Sequence, residues 1–150
     1  MKLLIKQLHP LARKPEYSRE GDANFDIRAV IPEDEHGEQP VILRTGGQAI
    51  IRTGLAFEVP PGWVMAIYSR SGHGFKNEIR LSNCVGQIDS NYRGEVMVAV
   101  KNDGRARFTI HHGDKIAQAR LEPAPKIELV MVDELSNTER GAAGFGSSGR

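Results

Sequence analysis

The sequence predicts an all-β sandwich or barrel, and three observations carry that prediction. Turn formers recur about every 8–12 residues, the spacing expected of short antiparallel strands. Between them, apolar and polar side chains alternate over short runs. No long stretch holds the apolar period that an amphipathic helix needs.

Taken in order, residues 3–8 read as an opening strand ended by His9-Pro10. The polar loop KPEYSREGDAN over 14–24 leads into a strand over 25–30, where Phe25, Ile27 and Ala29 alternate with Asp26 and Arg28. An acidic solvated loop covers 32–40. Short strands follow over 41–44, ended by Gly46-Gly47, and over 49–53, ended by Gly54. Leu55, Phe57 and Val59 alternate before Pro60-Pro61-Gly62, and Trp63, Met65 and Ile67 alternate after it. The stretch NCVGQIDSNYRGEVMVAV over 83–100 reads as two strands around a polar turn, with Asp89, Ser90 and Tyr92 on its crown. Later strands are expected over 108–110, 116–121 and 127–132, with breakers at Asp103-Gly104, Gly113-Asp114 and Pro123/Pro125. There is no internal repeat, and no linker before the last dozen residues.

A chain of 150 residues fits one domain around a single core. Lys+Arg 20 against Asp+Glu 19 leaves a net charge of +1, so no global field draws in nucleic acid or an anionic membrane, and an anionic ligand needs a local site. The single Cys84 excludes an intrachain disulfide and fits a reducing compartment; with no His partner at a family spacing, it reads as a small buried residue. MKLLIKQL is too short and interrupted for a signal-peptide core, and no segment reaches transmembrane length, so a cytoplasmic location is expected.

Several segments carry chemistry without fixing it. In Ser69-Arg70-Ser71-Gly72-His73-Gly74 a cation, hydroxyls and a glycine-freed backbone are equipped to grip phosphate, and an ordinary exposed turn would use the same residues. Gln118 is the polar residue of an apolar run, suited to satisfying a neighbouring backbone or to reaching a ligand. His111 and His112 are adjacent, so on a strand they face opposite ways and cannot share a metal. No HxE, CxxC or HExxH occurs, which removes zinc deaminases and zinc proteases. Gly144, Gly146 and Gly149 spell GxGxxG, but no helix can follow so close to the last residue, and the Rossmann reading fails. The same tail reads either as disordered, or as a segment folding over a ligand with Arg140 and serines on phosphate and Phe145 on a base.

Five motifs in order bring these segments together: DANFDIRA at 22–29, SRSG at 69–72, NCVGQIDSNYRGE at 83–95, GDKIAQ at 113–118 and RGAAGFGSSG at 140–149. The chain resembles the trimeric deoxyuridine triphosphatases (dUTPases) from about residue 22 to 150. Its departures are Asn24 in place of a usual Gly, Gln87 in place of an aliphatic residue, and Asn91 in place of a frequent Asp.

The resemblance implies a jelly-roll-like distorted β-barrel over 1–139 and a flexible, Gly-rich C-terminal arm over 140–150 that closes over substrate. It implies a homotrimer whose sites are each shared among subunits. The reaction would be dUTP plus water giving dUMP and diphosphate, assisted by Mg²⁺, which limits uracil in DNA. Asp89 would be the catalytic base. Arg70, Ser71, Gly72 and Gln118 would hold phosphates, with Asp26 reaching the metal through water. Asn83, Gly86, Gln87, Ile88 and Met97 would line the uracil slot, Tyr92 the sugar, and Arg140, Phe145, Gly146 and Ser147 would come from the arm. No nucleic-acid or membrane partner is expected. The alternatives are a dCTP deaminase-like enzyme of the same fold, with Glu95 the carboxylate following the hairpin, and a non-catalytic trimeric nucleotide-sensing regulator.

Overall fold

The structure, a computed structural model, describes residues 1–147. Its strands are β1 (Leu4–Gln7), β2 (Phe25–Arg28), β3 (Glu33–Asp34), β4 (Gly37–Glu38), β5 (Val41–Leu43), β6 (Gln48–Arg52) and β7 (Leu55–Glu58). They continue as β8 (Trp63–Tyr68), β9 (Ile79–Leu81), β10 (Val85–Ile88), β11 (Met97–Asn102), β12 (Phe108–Ile110) and β13 (Lys115–Pro123), with one helix, α1 (Ser71–Asn77), between β8 and β9.

Two sheets matter for the site. One has the order β10-β8-β13-β2 and the other β6-β11-β9. Small pairs β1-β7, β12-β5 and β3-β4 complete the fold. Alternation in the sequence becomes alternation in burial: in β2, Phe25 and Ile27 are buried, while Asp26 and Arg28 are half-exposed on the other face. Met65, Ile67, Ala117 and Ala119 of the same sheet enter the core, where they join Phe57, Val98 and Val100. Asn102 is fully buried at the end of β11 and fully used. Its Nδ2 donates to Leu43 O at 3.0 Å and Ala106 O at 2.8 Å, and its Oδ1 accepts from Gly104 N at 2.9 Å. An amide suits this place because donor and acceptor are both needed where the end of β5 meets the connection between β11 and β12.

Four expectations from the sequence are corrected. Residues 71–77 form a short helix, not a loop, despite two glycines. Glu78 ends it in the left-handed conformation at φ 55°, donating its N–H to Gly74 O, and its carbonyl accepts from Asp103 N. Cys84 is exposed rather than buried, at φ 63°. Residues 127–132 form no strand: Ile127, Leu129, Val130 and Met131 all lie exposed along a stretch without strand partners. Finally, β10 and β11 are not paired with each other. β10 pairs with β8, and β11 pairs with β6 and β9, so the polar turn connects two different sheets. Ser148 and Gly149 of the tail motif lie outside the described residues.

Candidate active site

The two-sheet connection creates a crevice. β10 is the edge of its sheet, bonded to β8 on one side only. β9 pairs with β11 only at Val100–Asn102, so Met97 and Val98 have β6 alone as a ladder partner. The strands diverge like an unzipped hairpin, so their facing edges carry no ladder to each other and, among the described residues, no third strand fills the gap. Backbone groups on such edges are obligatory hydrogen-bonders and will take a planar polar ligand in place of a strand. Gln87, Ile88, Asp89, Tyr92, Glu95 and Met97 line this crevice.

Asp89 is exposed at its rim, and among the described residues no side chain bonds its carboxylate. Its backbone carbonyl accepts from Tyr92 N at 3.1 Å, closing the turn. The Tyr92 ring folds back over Gly94, where a Cβ would stand 2.5 Å from the phenol oxygen, and its hydroxyl donates to Glu95 O at 3.0 Å. Gly94 is therefore required for the ring's position. Arg93 Nη1 donates to Ser90 O at 2.8 Å and Tyr92 O at 2.9 Å, tying the crown from the outside. The Glu95 carboxylate is committed elsewhere, to Arg52 Nε and Nη2 and, at 2.8 Å, to Gly54 N. The Arg52 hydrogen bonds hold it below its ordinary value.

A second group of polar side chains stands on the outer face of the β8-β13-β2 sheet. Asp26 is the cross-strand partner of Gln118, which is in turn opposite Tyr68, so their side chains share a face. Arg70 Nε lies 3.3 Å from Asp26 Oδ1, and Lys115 Nζ lies 2.6 Å from Asp26 Oδ2. Ser18 Oγ also donates to Oδ2, at 2.6 Å. Burial pulls the Asp26 carboxyl up, but hydrogen bonds from Lys115 and Ser18 and the charges of Lys115 and Arg70 outweigh it, so the group sits below its ordinary value. Gln118 Nε2 donates to Ser69 O at 2.9 Å, fixing the amide beneath the Arg70 loop. Ser71 and Gly72 begin α1, exposed, with open space where a Gly72 Cβ would stand. The cluster brings two cations and one carboxylate together, an arrangement with net positive charge ready for an anion.

The two groups line separate depressions of the single chain, Asp89 in one and Arg70 with Lys115 in the other. Asn83 is exposed beside Gly86 at the start of β10. Arg140 folds on its own segment, donating to Ala143 O at 3.1 Å and Gly144 O at 3.3 Å. Phe145 is fully exposed, next to Gly146 and Ser147. The chain alone thus unites Asp26, Arg70 and Gln118, and it unites Asp89 with Tyr92 and Met97, but it does not bring the arm to either group.

Lys115 and Ser18 were not singled out as site residues from the sequence. Counting along an unbroken strand puts Lys115 and Gln118 on opposite faces. A one-residue register shift between Lys115 and Ala117 reverses that parity and delivers Lys115 to Asp26.

The fold and its two polar depressions define an all-β protein built to hold an anionic ligand beside an edge-strand crevice. Residues 12–149 match the family described as dUTPase. The chain is 43% identical to the deoxyuridine 5'-triphosphate nucleotidohydrolase of Nautilia profundicola over 150 residues, all of both chains. It is also 43% identical to that of Caulobacter vibrioides over 135 residues, 90% of this chain and 84% of the relative. Among solved structures, a mutant of the phage 80α dUTPase superimposes with a TM-score of 0.84 at 29% identity, covering 98% of each chain. The same Staphylococcus phage enzyme with dUPNHPP gives 0.82 at 30% identity over 99% of each chain. A mutant of the phage phi11 dUTPase of S. aureus, described with a coordinated structural Mg(II) ion, gives 0.77 at 26% identity, over 89% of this chain and 98% of that one. This chain belongs to the dUTPase family.

Proposed function

We propose that the protein hydrolyses dUTP to dUMP and diphosphate at sites shared among three subunits. The observation that carries this reading is the exposed, uncommitted Asp89 carboxylate on the crevice between β10 and β11. Uracil lies in that crevice, read by the free backbone edges from Gly86 to Met97, with Gln87 and Ile88 beside it and Asn83 at its polar end. A strand gap closed around ring carbon C5 rejects the thymine methyl by clash, and Tyr92 under the sugar rejects a ribose 2′-hydroxyl in the same way.

Asp89 holds a water against the α-phosphorus and takes its proton as the oxygen attacks. The bond from the α-phosphorus to the bridging oxygen breaks, and diphosphate departs with the electron pair. A carboxylate with an ordinary pKa of about 3.9 is a weak base toward water, so alignment and charge neutralisation supply much of the rate. Arg70, Ser71, Gly72 and Gln118 of one subunit bind the phosphate chain, another subunit contributes Asp89, and the arm of a third adds Arg140, Gly146 and Ser147 to phosphate and Phe145 to the base.

Asp26 fits a magnesium ion held through water. Hydrogen bonds from Lys115 and Ser18 to Oδ2 and the Arg70 ion pair at Oδ1 already engage its two oxygens, which leaves lone-pair capacity for a metal-bound water rather than a direct cage. Among the described residues no cluster of three His, Cys, Asp or Glu forms a complete metal cage. Bound to the triphosphate, Mg²⁺ would supply neutralisation of phosphoryl charge.

Two features support trimer formation. The Asp89 and Arg70 groups line different depressions and need a neighbour to meet. The exposed apolar side chains over 127–132 also call for a covering surface. A deaminase-like reading loses its carboxylate, since Glu95 is held by Arg52 and Gly54. No helix among the described residues is long and apolar enough to cross a membrane. The single cysteine fits a reducing compartment, and we place the reaction in the cytoplasm. The test offers dUTP, dCTP, dTTP and UTP with Mg²⁺ and measures diphosphate and ammonia. Diphosphate from dUTP alone is expected; ammonia from dCTP, or equal turnover of dTTP, would overturn the assignment.

A further inference from the structure

We infer that His73 is a positioning residue for Arg70, holding the guanidinium in its phosphate-binding place only while the imidazole is neutral. The inference rests on the role proposed for Arg70. Three acceptors surround that guanidinium: Asp26 Oδ1 at 3.3 Å from Nε, and Lys115 O and His73 Nε2, each 3.4 Å from Nη1. Among the described residues Nη2 has no protein partner, which leaves it as the free end for an anion.

An arginine has no lone pair to offer, so the His73 contact exists only if Nε2 is the unprotonated nitrogen and Nδ1 carries the proton. Protonation removes the acceptor and sets two cations in contact. Phe108 packs edge-on against the ring with centroids 5.2 Å apart, which favours the orientation that faces Arg70. The charged groups around His73 are Arg70 on its own loop, Arg28 from β2, Asp114 and Lys115 at the start of β13, and Lys76 one helical turn along α1. All but Asp114 are cations. Burial and the Arg70 charge lower the His73 pKa from its ordinary 6.5, against a smaller opposing pull from Asp114. The group is therefore neutral at pH 7, and the acceptor is lost as pH falls through its lowered value.

Replacing His73 by Gln keeps an acceptor that does not titrate, while His73→Leu removes it at every pH. The experiment measures kcat/KM for dUTP with Mg²⁺ from pH 5 to 8 for wild type and both variants, with thermal midpoints confirming the fold. Dividing the His73→Gln profile by the wild-type profile cancels the ionisation of the substrate's terminal phosphate, which falls in the same range. The ratio is expected to be flat above pH 7 and to rise as the wild-type His73 takes up its proton, levelling at no less than the roughly tenfold loss that removing the acceptor gives. The His73→Leu enzyme is expected to lose about tenfold in kcat/KM at pH 7.5, mostly through KM. A flat ratio across the range, or one that falls at low pH because imidazolium itself binds phosphate, overturns the inference. Arg70→Ala is measured alongside at pH 7.5. If its kcat/KM stays at the wild-type level, the Arg70 reading fails; if it collapses while the ratio stays flat, only the His73 inference fails.

Discussion

Asp89 and Glu95 stand six positions apart on one connection, yet their surroundings give them opposite tasks. Asp89 is exposed and bonded to no side chain among the described residues, which suits the role of base proposed for it. Asp89→Asn is expected to retain dUTP affinity in a calorimetric titration while turnover falls about a hundred- to ten-thousand-fold; unchanged turnover would remove it as the base. Glu95 is structural: its carboxylate is held by Arg52 and Gly54 N. Glu95→Ala is expected to lower stability in urea by about 2–3 kcal/mol through the loss of charge-assisted bonds. The pH dependence follows from the direction of its shift. Since the folded pKa lies below the ordinary 4.5, the stabilisation is complete above pH 4.5 and disappears as pH falls through the folded value. The Glu95→Ala deficit should therefore shrink on acidification.

The crevice belongs to the scale of elements, since no single residue makes it. It exists because β10 and β11 enter different sheets and leave their facing edges unpaired. Gly94 controls how Tyr92 borders it, and Gly94→Ala forces the ring aside. The expected result is a dUTP over UTP preference in kcat/KM reduced about tenfold, with dTTP still rejected by the strand gap. The alternation of β2 and β11 was legible in the sequence because burial on one face imposes a period of two; β8 departs from it, with Met65, Ala66 and Ile67 all buried. The unzipped hairpin was not legible: a turn with flanking strands looks the same whether the strands pair with each other or with third parties. Nor was the bulge that turns Lys115 toward Asp26, because a one-residue insertion in a ladder leaves no mark in composition. Helix α1 escaped notice for a different reason. With no buried residue it has no apolar stripe, and its two glycines argue against it locally. The strand expected over 127–132 shows the converse error, apolar letters in strand order with no partner strand among the described residues.

At the scale of the molecule, the five motifs carried the family and the residue types, while the single chain leaves the Asp89 and Arg70 groups in separate depressions, which the proposed shared site joins across subunits. Ending the chain after Glu139 is expected to leave the trimer intact by sedimentation, because the apolar stretch remains. Hydrolysis should drop at least about a hundredfold as Arg140 and Phe145 are lost. Normal hydrolysis by the shortened chain would make the arm passive.

The most direct test of shared sites is complementation between Asp89→Asn and Arg70→Ala chains, each inactive alone, unfolded together and refolded at equal amounts. If Asp89 and Arg70 of one site come from different subunits, mixed trimers contain intact sites, and about a quarter of wild-type activity should return by random assortment of a symmetric ring. Mixed trimers verified by native mass spectrometry that remain as inactive as either parent would contradict the account.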